Sequence, residues 1–187
     1  MVRIGEKVED FKVDIYQNEA FKELKLSDLK GKWVAMFFYP ADFTFVCPTE
    51  LEDAAGLYEQ FKKEGAELIS FSTDTKFVHK AWHDVSPAIK KVTYPMAADA
   101  SGKVSRQFGV YMEEIGLALR GSFVIDPDGV LQCVEINNLP IGRSMAELLR
   151  KVQAAKFVRE NGGEVCPANW KPGSKTLKPG LDLVGKI

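Results

Sequence analysis

Trp33-Val34-Ala35-Met36-Phe37-Phe38-Tyr39-Pro40-Ala41-Asp42-Phe43-Thr44-Phe45-Val46-Cys47-Pro48-Thr49-Glu50 is the stretch on which the fold turns. Trp33 to Tyr39 is almost continuously apolar, the pattern of a strand covered on both faces. Pro40 ends the run and a short loop follows. The spacing then predicts a helix from near Pro48 or Thr49. Proline suits the first helical position, and Thr49 with Glu52 fits a capping box. Leu51, Ala54, Ala55 and Tyr58 give that helix an apolar stripe, and Gly65 is placed to stop it. Leu68-Ile69-Ser70-Phe71 reads as the next strand, which makes the segment a βαβ unit.

Upstream, residues 11–26 alternate around Gln17-Asn18-Glu19 and predict an N-terminal hairpin. Ser27 to Gly31 is a turn. Downstream, Thr75 to Asp84 reads as a helix that Ser86-Pro87 breaks. Tyr94 to Ala98 is a weak strand and Val104 to Phe108 a short helix. Ser122 to Ile125, the turn Asp126-Pro127-Asp128-Gly129 and Val130 to Ile136 form a hairpin. Ser144 and Glu147 suggest a capping box ahead of a last helix with Met145, Leu148, Leu149 and Val152 on its apolar face. Periodicity supports an α/β or α+β class. The order of elements fits a thioredoxin-like mixed sheet flanked by helices, with an N-terminal hairpin extension and a C-terminal arm.

The 187 residues suit one domain, 1–187, of which about 159–187 form a Gly- and Pro-rich arm. A formal charge of -1 offers no basic field for nucleic acid. The longest apolar run, Val34 to Tyr39, falls far short of the ~20 residues a membrane helix needs. Charges interrupt Met1 to Asp10, so no signal-peptide core is expected there. These features lead us to expect a cytoplasmic protein, in which cysteines form disulfides transiently during catalysis.

There are three cysteines. Cys47 falls at a helix start, where unpaired N–H groups and a partial positive charge favour a thiolate nucleophile. A free cysteine is otherwise a small buried hydrophobe; a position after a Pro- and Thr-containing loop favours the reactive reading, an activated sulfur rather than a buried structural one. Cys166, in Glu164-Val165-Cys166-Pro167, lies in the arm, where it is expected to be accessible and mobile, as a second redox-active thiol or an incidental one. Cys133, inside the second hairpin strand, reads as structural. No Cys-x-x-Cys motif exists, which removes the usual dithiol-exchange and zinc-ribbon patterns. His79 and His83 would share one helix face, but Lys80 stands where a zincin has its glutamate, so this pair reads as structural.

Pro40, Thr44 and Cys47 match the Pro-x-x-x-Thr-x-x-Cys signature, and the chain resembles the peroxiredoxins. Glu164-Val165-Cys166-Pro167 resembles the resolving-cysteine segment of typical two-cysteine members. Leu181 to Ile187 resembles the ending of the bacterial alkyl hydroperoxide reductase C branch. The resemblance implies an antioxidant peroxidase that reduces hydrogen peroxide and organic hydroperoxides. Cys47 would be peroxidatic and Cys166 resolving, through a Cys47–Cys166 disulfide between subunits. Arg120 would be the active-site arginine, Thr44 would orient the peroxide and Pro40 would shield the sulfur. The resemblance further implies a homodimer, assembled into a decamer. It implies no metal, haem or flavin cofactor in this chain, and a reductant that is an NADH-linked flavoprotein disulfide reductase or thioredoxin.

Overall fold

The computed structural model describes residues 1–186; Ile187, the last residue of the terminal string quoted above, lies outside the described residues. The N-terminal hairpin is β1 (Lys12–Gln17) and β2 (Ala20–Lys25). Its two-residue turn, Asn18 and Glu19, holds both residues at positive φ, the geometry that matches the twist of paired strands. Then come β3 (Trp33–Phe38), α1 (Cys47–Lys63), β4 (Ala66–Ser72), α2 (Lys76–Val85), β5 (Met96–Ala98) and α3 (Lys103–Gln107). The short strands β6 (Tyr111–Met112) and β7 (Leu117–Ala118), which the sequence pattern does not announce, precede β8 (Arg120–Ile125), β9 (Leu131–Asn137) and α4 (Met145–Glu160).

Seven strands form one sheet in the order β2-β1-β5-β4-β3-β8-β9. β3, β4 and β5 run parallel; the outer pairings are antiparallel. All six residues of β3 are buried, and they alternate between two cores. Trp33, Ala35 and Phe37 face a cluster with Leu51, Ala54 and Phe61 of α1, Trp82 of α2, and Met145 and Val152 of α4. Val34, Met36 and Phe38 face a second cluster with Phe11, Phe71, Val104, Phe108 and Phe123. A period of two on a strand covered from both sides explains why this run is apolar throughout. Phe38 stacks on Phe71 at 4.9 Å, and complete burial of such a ring contributes about 2–3 kcal/mol.

Helix boundaries follow local chemistry. Thr75 caps α2 by accepting from the Val78 N–H, and the helix ends ahead of Ser86-Pro87. Gly65, at φ +75°, closes α1 in the left-handed conformation that glycine adopts without strain. Asp126 Oδ1 accepts from the N–H groups of Asp128 and Val130, pinning the β8–β9 turn. Two expected capping boxes are not formed. The Ser144 hydroxyl accepts from the Glu147 N–H, but the Glu147 carboxylate turns to Arg150. Thr49 donates its hydroxyl to the Val46 carbonyl at 2.6 Å, and Glu52 pairs with Lys91. α1 therefore begins at Cys47, one residue ahead of Pro48: Val46 is already helical, and Cys47 is the first helical residue, with no side-chain cap.

Candidate active site

The site forms where β3 ends and α1 begins, outside the carboxyl ends of the parallel strands, where open α/β sheets place their ligands. Pro40 is buried at the end of β3. The loop behind it is tied down through Asp42. Its Oδ1 accepts from the Tyr39 hydroxyl at 2.6 Å, and Oδ2 lies 2.7 Å from His79 Nδ1. The Asp42 N–H donates to Asp74. The other His79 nitrogen faces the Ala97 carbonyl at 3.2 Å. Burial pushes the Asp42 carboxyl above its ordinary range while His79 pulls it back. The contact between the two residues fixes the loop to α2.

His79 is thus a core residue, as its sequence context suggests. His83 faces elsewhere, 3.2 Å from the Tyr16 hydroxyl and 3.6 Å from Glu19. Glu19, His83 and Asp84 converge, but Lys80 already supplies the cation there, 2.7 Å from Asp84. Within the loop, Phe43 has a positive φ of 56° and rests against Trp82. A side chain in that conformation costs of order 1–2 kcal/mol, and such residues persist where surrounding structure over-determines them. Next to it the Thr44 hydroxyl donates to the Ala41 carbonyl at 2.8 Å, which leaves its lone pairs available to accept.

Cys47 is fully buried, where the sequence suggested an activated sulfur rather than a buried structural one; its neighbours show that burial does not make it inert. Arg120 Nη1 lies 3.4 Å from its Sγ. The same nitrogen donates to Glu50 Oε2 at 2.7 Å, and Arg120 Nε donates to the Leu139 carbonyl at 2.6 Å. Arg143 grips the other side of Glu50 with its backbone N–H and Nε on Oε1, both at 2.9 Å, and Nη2 on Oε2 at 3.1 Å. Arg143 Nη1 reaches the Gly121 carbonyl at 2.8 Å. A Cβ at Gly121 would come within 2.7 Å of the Phe123 and Val110 side chains, so the second core leaves no room for a larger residue there. Two buried guanidiniums and one buried carboxylate leave a net positive charge beside the sulfur, which balances the charge of a sulfur anion.

Of the residues named from the sequence, the structure brings Arg120 to Cys47, with Thr44 and Pro40 in the loop between β3 and α1; Glu50 and Arg143, which complete the ionic cluster, were not named. Glu50 carried a usable signal: three residues after Cys47, it shares that side of the first helical turn. Arg143 lies in an irregular segment whose path sequence periodicity does not describe.

Cys166 is not part of this cluster. It is partly buried on α4, its Sγ 3.9 Å from the Ala154 carbonyl, and a bridge from Val165 to Leu177 folds the arm back on itself. Cys166, Cys133, Arg150, Lys151, Ala154 and Val158 line one open groove. All three cysteines are free.

The AhpC/TSA family profile matches residues 4–134, and the profile of the C-terminal domain of 1-Cys peroxiredoxin matches residues 154–184. The chain belongs to the AhpC/TSA family. Alkyl hydroperoxide reductase C of Amphibacillus xylanus is 56% identical over 188 residues, with all of both chains covered. Its counterpart from Staphylococcus aureus is 58% identical over 171 residues, covering 91% of this chain and 90% of the relative. The crystal structure of Enterococcus faecalis AhpC superposes with a TM-score of 0.86 at 46% identity, covering 89% of this chain and all of that one. Reduced Plasmodium vivax 2-Cys peroxiredoxin gives 0.91 at 33% identity, covering 96% and 94%. The thioredoxin-like fold read from the order of elements is therefore the fold of the AhpC/TSA family. Pro40, Thr44, Cys47 and Arg120 all fall inside the AhpC/TSA match.

Proposed function

We propose that Cys47 is the nucleophile of a thiol-dependent peroxidase that reduces hydrogen peroxide and organic hydroperoxides, with Cys166 as its resolving partner. The observation that carries the assignment is the Arg120 guanidinium, held 3.4 Å from the Cys47 sulfur by a buried carboxylate. The Cys47 thiolate attacks one peroxide oxygen; the S–O bond forms as the O–O bond breaks, and the departing oxygen leaves as water or alcohol once protonated. Cys47 becomes a sulfenic acid. Arg120 donates to the oxygens as they gain charge. Thr44, whose hydroxyl proton is engaged with Ala41, accepts from the peroxide O–H and sets its orientation. Pro40 walls off water and offers no competing N–H.

Cys166 then attacks the sulfenic sulfur, and water leaves as the disulfide forms. A disulfide needs the two Cα atoms within about 4.4–6.8 Å, so Cys47 must leave its helical position. The uncapped start of α1 suits that release, because a first turn without a side-chain cap lacks about 1 kcal/mol of the usual support.

The pairing is read as intersubunit. In support, β9 is an edge strand of the sheet, open to antiparallel pairing with a second copy. The exposed aromatic surface of Phe21, Phe43 and Phe77 supports assembly of such dimers into a larger ring, a decamer in this reading. The domain reading is 1–187 as a single unit, the arm following the end of α4 at Glu160. No helix among the described residues is long and apolar enough to cross a membrane; the protein is read as cytoplasmic, with electrons from a flavoprotein disulfide reductase or thioredoxin.

Cys166→Ser tests the pairing: it is expected to accept one oxidising equivalent and yield no Cys47-linked dimer on a non-reducing gel. An unchanged dimer band contradicts the assignment. Resolution is also expected to depend on pH. Burial pushes the Cys166 thiol above its ordinary value, with Arg150 acting against it, so at neutral pH the attacking form is scarce. The rate of disulfide formation in single-turnover stopped flow should rise with pH, by about tenfold per unit below that value. A profile flat from pH 6 to 9 would show that Cys166 deprotonation does not limit the step.

A further inference from the structure

Cys133 is left without a role by the chemistry above; it packs at the margin of the first core and is only partly buried. It is half-buried on edge strand β9, opposite Val124 of β8, and shares the α4 groove with Cys166. Arg150 stands close to both. It forks onto Glu147 with Nε at 2.6 Å and Nη2 at 2.8 Å, and its Nη1 holds the Trp170 carbonyl at 3.0 Å. Those contacts fix its guanidinium in the groove and pin the arm on which Cys166 rides. Trp170 is itself buried against Phe157, so the arm is docked rather than free. Burial raises both thiols, while Lys151 and Arg150 lower Cys133 and Arg150 lowers Cys166. Arg150 therefore faces both thiols from one groove, with Lys151 beside Cys133.

We propose that Cys133 is a third redox cysteine, which takes the disulfide over from Cys47 by intrachain exchange with Cys166. The inference rests on the reading of Cys166 as the resolving residue. The Cys133 proton passes to solvent, and its thiolate attacks Cys166 Sγ in the Cys47–Cys166 disulfide. The Cys133–Cys166 bond forms as the Cys47–Cys166 bond breaks, and the electron pair leaves on Cys47 as a thiolate. One disulfide is consumed and one is made, so no further oxidant is required. The leaving group favours this direction, because Cys47 returns to the net positive charge of Arg120, Glu50 and Arg143. Exchange frees Cys47 to refold and presents the reductase with a disulfide in the open groove instead of one between subunits.

The test is a time course on the full-length protein after one equivalent of hydrogen peroxide. Aliquots are quenched in acid, alkylated, run on a non-reducing gel and mapped for disulfide-linked peptides. Wild-type protein should show the Cys47–Cys166 dimer first, then its decay to oxidised monomer carrying a Cys133–Cys166 linkage. In Cys133→Ala the dimer should persist, with at least a tenfold slower decay. A persistent Cys47–Cys166 dimer in wild-type protein, with Cys133 fully alkylated throughout, overturns the exchange and leaves the resolving assignment intact. Absence of any Cys47–Cys166 linkage in both proteins overturns the resolving assignment and the exchange with it.

Discussion

Glu50→Ala is expected to lower kcat/KM for peroxide about 100-fold and to cost about 3–5 kcal/mol of folding stability. The two effects have one origin. Glu50 is 2% exposed and takes hydrogen bonds from Arg120 and Arg143, themselves 4% and 8% exposed. Deleting one member of a buried ionic group strands the others without solvent, which typically costs 3–5 kcal/mol, a large share of the 5–15 kcal/mol that holds a domain together. Arg120 loses one of the anchors that set it 3.4 Å from Cys47, and a 1 Å displacement at a reacting centre can cost 10²-fold. Denaturant titration and single-turnover stopped flow measure the two quantities separately. Glu50→Gln keeps the shape and one acceptor and should fall between wild type and Glu50→Ala in both. A stability loss under about 1 kcal/mol with an unchanged rate would mean that Glu50 does not hold Arg120 in place.

Cys47→Ser should remove steady-state peroxide consumption, by at least about 10⁴-fold, the scale on which loss of a catalytic nucleophile is felt. Sulfur and oxygen are close in size, so the buried site has no large cavity to absorb, and thermal unfolding should shift by only a few degrees. The contrast with Glu50→Ala is the informative part: one substitution removes the chemistry and spares the fold, the other damages both. Turnover above about 1% of wild type with a dithiol donor would assign the attack on peroxide to another cysteine, and Cys166→Ser and Cys133→Ala in that background would show which.

The fold was legible where a strand, a helix or a turn carries its own periodicity. Trp33 to Phe38 announced a doubly covered strand because both its faces are core. Residues 11–26 announced a hairpin by their alternation, and the Asp126 to Gly129 turn announced another because its residues suit the required backbone. The start of α1 at Cys47, with Pro48 in the first turn, lies within a residue or two of where the sequence put it. The Thr49–Glu52 capping box did not form because Thr49 turns to the Val46 carbonyl and Glu52 to Lys91, a partner that only folding supplies. Arg143 was illegible for a related reason: its partner Glu50 is 93 residues away in the chain, and no local pattern encodes a contact that only folding creates. The same holds for Cys133, whose strand was recognised while the groove it shares with Cys166 was not.

The uncapped first turn of α1 ties two events to one carboxylate. Glu50 is on the turn that, in the proposed pairing of Cys47 with Cys166, would have to unwind, and it is also the group that keeps Arg120 and Arg143 from facing each other as bare like charges. Opening the turn carries Glu50 away and leaves two buried cations together, so the structure resists opening in proportion to how well it is built for attack. Under the proposed pairing, this resistance would place a delay between oxidation and resolution. During that delay the sulfenic acid lies exposed to a second peroxide, which would carry it on to the irreversible sulfinic form. Under that pairing, the strength of the Glu50 clamp would set the peroxide concentration at which the catalyst begins to destroy itself.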